Sequence, residues 1–483
     1  MSLLENQMRF VPLEACYAPA EILEYQGNPL IEALPRIKSD ELWIEYLTSL
    51  PSFDEGDLCA PPHVRVYLVH RIKDVFIPFP HHLEFARRLD YIIRNGYKNR
   101  VPSKSRNFEL QQQYVAMQRG ETVECPRFES FSSIASSSLF GMSGMGKSTT
   151  VEMTLASYPQ WIHHPKHNLS QVVWLKIECP KDGSIRELSI SILKGFDIVL
   201  GSSNAAQYEG GASEHTILHR IQLLCAQHNL GLLVIDELQN LCVKRSGGRE
   251  EMLNFFQGLV NELRIPIFLM GTHKSETLLA SDVRHSRRKA ITGSFSWKNL
   301  PNGPLFALLL KELWKYQYSV KKSELTQEMI DAVYEETQGV VAFVVDMFVV
   351  AQIHALRGKG SAVTAELFRN VARKEFECVQ GFLNALRSKD PNRIKKYEDA
   401  ISYNLRDILE EAERLVPSFN SHMQTPVSDP SATVVTQACE VLMTSLSLSE
   451  EEAKELVTLV RTGNESSYQA IVKAATAAYY DAG

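Results

Sequence analysis

Gly141, Met142, Ser143, Gly144, Met145, Gly146, Lys147 and Ser148 form a Gly-x4-Gly-Lys-Ser run. Its glycines let the backbone wrap an anion, so that successive N–H groups and the start of the following helix face phosphate. In such a loop Lys147 reaches the β- and γ-phosphates of ATP and the Ser148 hydroxyl meets Mg²⁺, with Thr149 closing the phosphate-binding set. Downstream, Leu232, Leu233, Val234 and Ile235 run into Asp236 and Glu237. A buried strand ending this way brings Asp236 to the metal shell and leaves Glu237 to polarise an attacking water. The pair follows Lys147 by 89 residues, with two strand–helix units between. The chemistry these types and spacings can perform is phosphoanhydride hydrolysis.

Two weaker candidates accompany them. Thr272, with His273 second, ends another apolar strand, where a polar side chain can sit beside the γ-phosphate and orient the water. Asp282, Arg284, Arg287, Arg288 and Lys289 form a basic run. Such a run is ordinarily a solvated face, but in an oligomeric ATPase Arg287 or Arg288 is placed to reach a neighbouring subunit's nucleotide.

These residues need a scaffold, and the pattern supplies one. A short strand at 137–140 leads into the glycine loop and a helix at 148–158. Strands follow at 171–177, 231–235 and 265–270, with helices at 185–200, 215–227 and 250–263. Strand–helix alternation of this kind implies a parallel sheet covered on both faces. Ahead of it, 39–50 and 82–96 have helical spacing, the first capped by Ser39. Pro301, Gly303 and Pro304 mark a boundary, beyond which 305–318, 326–337, 340–356 and 365–376 read as helices. Residues 377–416 continue helical, 417–433 form a Pro/Ser-rich linker, and 434–446, 450–460 and 466–480 make a small helical tail. The expected domains are thus 1–130, a mostly helical extension on the adaptor side; 131–300, the α/β nucleotide-binding domain; 301–390, a helical lid; and 391–483, an acidic tail.

The chain has 483 residues, 44% hydrophobic and 22% charged, enough for more than one core. Residues 1–10 lack the basic start and apolar run of a signal peptide, and no apolar stretch is long enough for a membrane span. Eight cysteines are scattered without a Cys-x-x-Cys pair, which fits reduced thiols rather than a zinc or disulfide framework. A cytoplasmic protein with no membrane partner is expected. The net charge of −6 is uneven. From residue 398 onward 14 acidic and 5 basic residues give −9, whereas the preceding 397 residues, with 46 basic and 43 acidic, give +3. A basic surface with an acidic tail elsewhere remains compatible with nucleic acid, because focused charge rather than the total governs binding.

Longer motifs carry a family resemblance. Tyr25, Gly27, Asn28, Pro29, Leu34 and Pro35; Gly96, Tyr97 and Arg100; the glycine loop; Tyr158 and Gln160; Trp174 to Pro180; Leu233 to Gln239; Phe255 to Asn261; Gly271 and Thr272; and Arg284, Arg287 and Arg288 follow one another in the order seen in TnsC and its shorter relative TniB. The chain resembles these AAA+ regulators of target-selecting transposons over roughly residues 20–390. The resemblance implies an AAA+ P-loop core with a parallel sheet flanked by helices, a helical lid and helical extensions at both ends. It also implies ATP-dependent, sequence-independent assembly on double-stranded DNA as a ring or filament. The implied partners are a target selector of the TnsD/TniQ type, sometimes RNA-guided, and the transposase TnsA/TnsB, with hydrolysis controlling disassembly. One departure stands out: many AAA+ lids carry a sensor arginine early in a lid helix, and here Thr337, Gln338, Gly339, Val340, Val341, Ala342 and Phe343 include no base.

Candidate DNA contacts are Lys181 and Arg186, after the second strand, and Lys244, Arg245 and Arg249, after the acid-ended strand. They would contact phosphates, making binding sequence-independent and steeply salt-dependent. Two other classes share the nucleotide motifs. An initiator or helicase loader of the origin-recognition type brings a winged helix with a basic recognition helix, whereas this C-terminus is acidic. A signalling ATPase that oligomerises to display partners brings an effector module or repeats, and none is visible.

Overall fold

The computed structural model describes residues 11–102, 137–241, 249–279 and 294–397, apart from 182, 209, 212, 264, 320 and 358–361, together with scattered positions between 109 and 119. They belong to the first of two compact units, Met1–Glu413; the second, Arg414–Gly483, and with it the expected linker and tail helices, lies outside the described residues.

A five-stranded, wholly parallel sheet organises this unit. Its strands are β2 (Ser137–Gly141), β5 (Trp174–Glu178), β6 (Leu232–Asp236), β7 (Ile267–Gly271) and β8 (Ser294–Trp297), in the order β5-β6-β7-β2-β8. β6 lies inside the sheet and all five of its residues are buried, which is why it reads as an unbroken apolar run rather than an alternation. The strand period of two still sorts its side chains. Leu232 and Val234 enter one core, with α4 (Pro80–Lys98) and α5 (Lys147–Ala156), while Leu233 and Ile235 enter the other, with α6 (Ile185–Leu200), α7 (Glu214–Gln227) and α8 (Arg249–Leu263).

Residues 25–97, expected to precede the α/β domain, supply one wall of its core. Phe85, Leu89, Ile92, Ile93 and Tyr97 of α4 pack with Leu139, Val234 and Phe268 of the sheet. Here the motif around Gly96 acquires a physical reason. A Cβ at Gly96 would stand 2.5 Å from Pro266 Cγ. Tyr97 Oη donates to the Asn229 carbonyl at 3.0 Å, and Arg100 Nη1 donates to the Leu230 carbonyl at 2.7 Å. Asn28 caps α1 (Pro29–Glu32) by accepting from Leu30 N, and donates through Nδ2 to the Tyr97 carbonyl. The motif residues clamp the N-terminal segments to the entry end of β6.

Two expectations need correction. The run 171–177 is not one strand. The chain breaks at Val173, so that β4 (Leu169–Val172) joins β1 (Leu13–Glu14) and β3 (Trp161–His164) in a separate three-stranded sheet, and only β5 enters the main one. Each half puts apolar residues into a core, Leu169 and Val172 from β4 and Leu175 and Ile177 from β5, so hydropathy does not show the hand-over. The helix expected at 305–318 ends earlier: α10 spans Pro304–Leu313. Beyond it the backbone is held by a side chain, Gln352 Nε2 donating to the Tyr316 carbonyl and Gln352 Oε1 accepting from Tyr318 N.

Within the expected lid the remaining helices are α11 (Gln327–Thr337), α12 (Val341–Arg357), α13 (Ala365–Lys374) and α14 (Gln380–Ser388), and α15 (Pro391–Tyr397) follows at the start of the expected tail. α12 packs on α13 and on α3 (Pro62–Val69) of the N-terminal region. No single helix among the described residues is long and apolar enough to cross a membrane.

Candidate nucleotide site

The glycine loop leaves β2 at Gly141 and enters α5 at Lys147. Gly144 and Gly146 hold φ of +78° and +75°, the left-handed region that side chains resist. Gly146 is the N-cap of α5, and no side chain caps that helix. A Cβ at Gly146 would meet nothing within 4 Å, so its glycine is required by backbone conformation and the space above the loop stays open. An uncapped helix N-terminus beneath an open, left-handed glycine turn fits a phosphate. Lys147 Nζ folds back onto the loop, donating to the carbonyls of Gly141 at 2.9 Å and Met142 at 2.7 Å. Met142 and Met145 are buried, Ser143 is half-buried and Thr149 is exposed.

β6 carries Asp236 directly to this loop: Ser148 Oγ donates to Asp236 Oδ2 at 2.9 Å. A hydroxyl and a carboxylate side by side form the hard-oxygen donor set that suits Mg²⁺. Asp236 is 3% exposed, and its other oxygen accepts from Glu237 N at 2.8 Å. Glu237 sits at φ +54°, a conformation costly for a non-glycine residue and one that recurs at functional sites. Burial, followed by repulsion from Asp236, raises its pKa, while Lys147 pulls the other way. The same two acids, after burial itself, push the Cys179 thiol up to about 12, so it is inert.

Three contributors escaped the sequence reading. Gln239, two residues beyond Glu237, donates through Nε2 to Glu237 Oε2 and accepts through Oε1 from Thr272 N at 3.2 Å. It therefore ties Glu237 to the exit of β7, where Thr272 is 4% exposed with its hydroxyl buried and unpartnered. His273, the second choice there, pairs with Glu276 at 3.2 Å. Lys176 of β5 reaches Asp236 Oδ2 at 3.2 Å and Glu152 Oε1 at 2.8 Å. Burial works to strip its proton, and the two carboxylates outweigh that, leaving its pKa raised. The available signal was a lone charge inside an apolar strand. Finally, the lid touches the loop through backbone: Ala342 N, in the first turn of α12, donates to the Gly144 carbonyl at 2.9 Å. The base-free stretch 337–343 thus meets the phosphate loop with a peptide N–H.

Of the basic candidates, Arg186 donates to the Tyr208 carbonyl at 2.9 Å, and Lys181 is exposed. Arg249 opens α8. Lys244, Arg245, Arg287 and Arg288 lie outside the described residues. A bridge between Gly183 and Leu241 sets the loop after β5 beside the loop after β6.

The sheet order, the left-handed glycine loop and the acid-ended interior strand define a P-loop ATPase domain of the AAA type, and the AAA domain family model matches residues 135–279. Among curated protein sequences none matches. Among solved structures, the Orc1 protein of Aeropyrum pernix in complex with DNA is similar at 14% identity, over 78% of this chain and 83% of that one, with a TM-score of 0.36. A Walker-type ATPase of Pyrococcus abyssi is similar at 14% identity over 64% and 88%, TM-score 0.33, and AMPPCP-bound DnaA of Aquifex aeolicus at 14% over 71% and 81%, TM-score 0.26. Similarity at this level carries no information about function.

Proposed function

We propose that the chain is an ATP-dependent transposition regulator, which oligomerises on double-stranded DNA and connects a target selector of the TnsD/TniQ type to the transposase TnsA/TnsB. The reading rests on the ordered TnsC-like motifs. One structural observation supports coupling of nucleotide to DNA: the bridge of Gly183 to Leu241 sets side by side the two loops that follow β5 and β6, at the end of the sheet where Asp236 stands. The loop after β5 carries Lys181, and the chain after β6 runs in sequence into Lys244, Arg245 and Arg249, the cations that would contact phosphate in this reading.

In this proposal ATP is the substrate that brings the cleavable phosphoanhydride, and a bound Mg²⁺ would neutralise charge on its phosphates. Gly141 to Thr149 hold the phosphates, Ser148 and Asp236 would hold the metal, and Glu237 accepts the proton of the attacking water. Thr272 orients that water, and Arg287 or Arg288 reaches across to a neighbouring subunit.

Light scattering of the protein mixed with a long random-sequence duplex tests the reading. Assembly with a non-hydrolysable ATP analogue, and none with ADP, is the expected result. Equal scattering with either nucleotide, or none with both, overturns it.

A further inference from the structure

Lys176 is a cation built into the place where a divalent ion is expected. Its Nζ lies 3.2 Å from Asp236 Oδ2, the same oxygen that accepts the Ser148 hydroxyl at 2.9 Å. It is held there by Glu152 Oε1 at 2.8 Å on α5 and by Glu178 Oε1 at 4.0 Å on its own strand. Its side chain is only 12% exposed, whereas those of Glu152 and Glu178 are 51% and 72% exposed. The buried carboxylate in the group is therefore Asp236, at 4%. Asp236 without a counter-charge would be strongly disfavoured in such a setting, and the Lys176 ammonium lies in hydrogen-bonding range of it.

We propose that Lys176 is a positioning residue that substitutes for Mg²⁺ as counter-ion of Asp236. It keeps the Asp236–Ser148 pair assembled when no metal is bound, so that the loop accepts nucleotide without Mg²⁺, and by repelling a second cation it weakens the affinity for Mg²⁺. The physical basis is that like charges at this separation in a poorly solvated site interact strongly. Occupation by metal then requires the ammonium to turn away from Asp236, and Glu152 and Glu178 give it partners elsewhere.

The inference rests on the nucleotide reading of the glycine loop, and its test separates the two. Binding of a fluorescent ADP analogue is measured in EDTA and across a Mg²⁺ titration, for wild type, Lys176→Met, Lys176→Arg and Lys147→Ala. Expected for wild type is binding in EDTA, with Mg²⁺ improving it little. Lys176→Met should bind roughly tenfold more weakly in EDTA and reach half-saturation at roughly tenfold lower Mg²⁺. Lys176→Arg, which keeps the charge, should follow wild type. If Lys176→Met does not fold, as judged by its thermal melt, Lys176→Gln carries the comparison, since it retains hydrogen bonding without charge. Identical Mg²⁺ dependence in wild type and the neutral variants overturns the inference and leaves the nucleotide site standing. No binding by wild type under any condition, or binding undiminished in Lys147→Ala, overturns the nucleotide reading itself.

Discussion

Gln239 holds Glu237. Its side-chain amide donates to Glu237 Oε2, and the other end of the same amide accepts the backbone N–H of Thr272. One planar group thus couples the proposed general base, just beyond β6, to the exit of β7. Glu237 also has a left-handed backbone, so its main chain is constrained as well as its carboxylate, which the Gln239 amide holds. Gln239→Ala is expected to lower the rate constant of ATP hydrolysis about tenfold while nucleotide affinity changes by less than about twofold. Glu237→Gln should cost on the order of a hundredfold or more. Steady-state ATPase assays paired with nucleotide titrations check both; equal losses in affinity and rate would mean that Gln239 only supports the fold.

Gly339 makes a different kind of demand. It has φ +71°, and a Cβ there would stand 1.9 Å from the Leu300 carbonyl oxygen, while its own carbonyl accepts from Leu300 N at 3.0 Å. Three residues later the Ala342 N–H meets the glycine loop. Gly339→Ala is expected to destabilise by roughly 2–4 kcal/mol, through both backbone strain and a displaced lid. Chemical denaturation measures it, and an unchanged midpoint would contradict the close approach.

Arg100 is buried and donates to the carbonyls of Leu230 at 2.7 Å and Gly96 at 2.7 Å. Arg100→Ala leaves the Leu230 carbonyl without that donor at the entry to β6, so a loss of about 2–3 kcal/mol is expected. The denaturation midpoint should fall accordingly, and Arg100→Lys should restore only part of it, because one ammonium cannot span both carbonyls.

Asp346 lies inside α12, 8% exposed, and burial pushes its carboxyl up to about 6 against the pull of Lys73. A folded-state value above the unfolded one means that the ionised form lowers stability. That cost is complete above pH 6 and disappears as pH falls into the ordinary aspartate range. Asp346→Asn should therefore raise stability at pH 8 by on the order of 2–3 kcal/mol and change it little at pH 4. Thermal melts at the two pH values check the sign.

The legibility of this fold varied with how much of each signal is local. Ser148 and Asp236 were readable because a phosphate loop and an acid-ended strand are contiguous motifs, and the structure brings them to 2.9 Å. β8 was not, since Ser294, Phe295, Ser296 and Trp297 are four residues whose only strand neighbour among the described residues is β2. Its alternating exposed and buried pattern is correct for an edge strand but too short to stand out. The break at Val173 depends on which sheet each half joins, a tertiary choice. Lys176 and Gln239 matter through partners 60 and 33 positions away in sequence, Asp236 and Thr272, and no spacing rule reports such pairs.

The central claim is that nucleotide in the glycine loop gates binding to duplex DNA. Its most direct test is fluorescence-polarisation binding to a random-sequence duplex, with and without a non-hydrolysable ATP analogue, for wild type and Lys147→Ala. Binding that requires the analogue, ignores sequence, weakens steeply with salt and is lost in Lys147→Ala is the expected result. Binding that is indifferent to nucleotide, or absent in every condition, would contradict the account and favour a signalling ATPase.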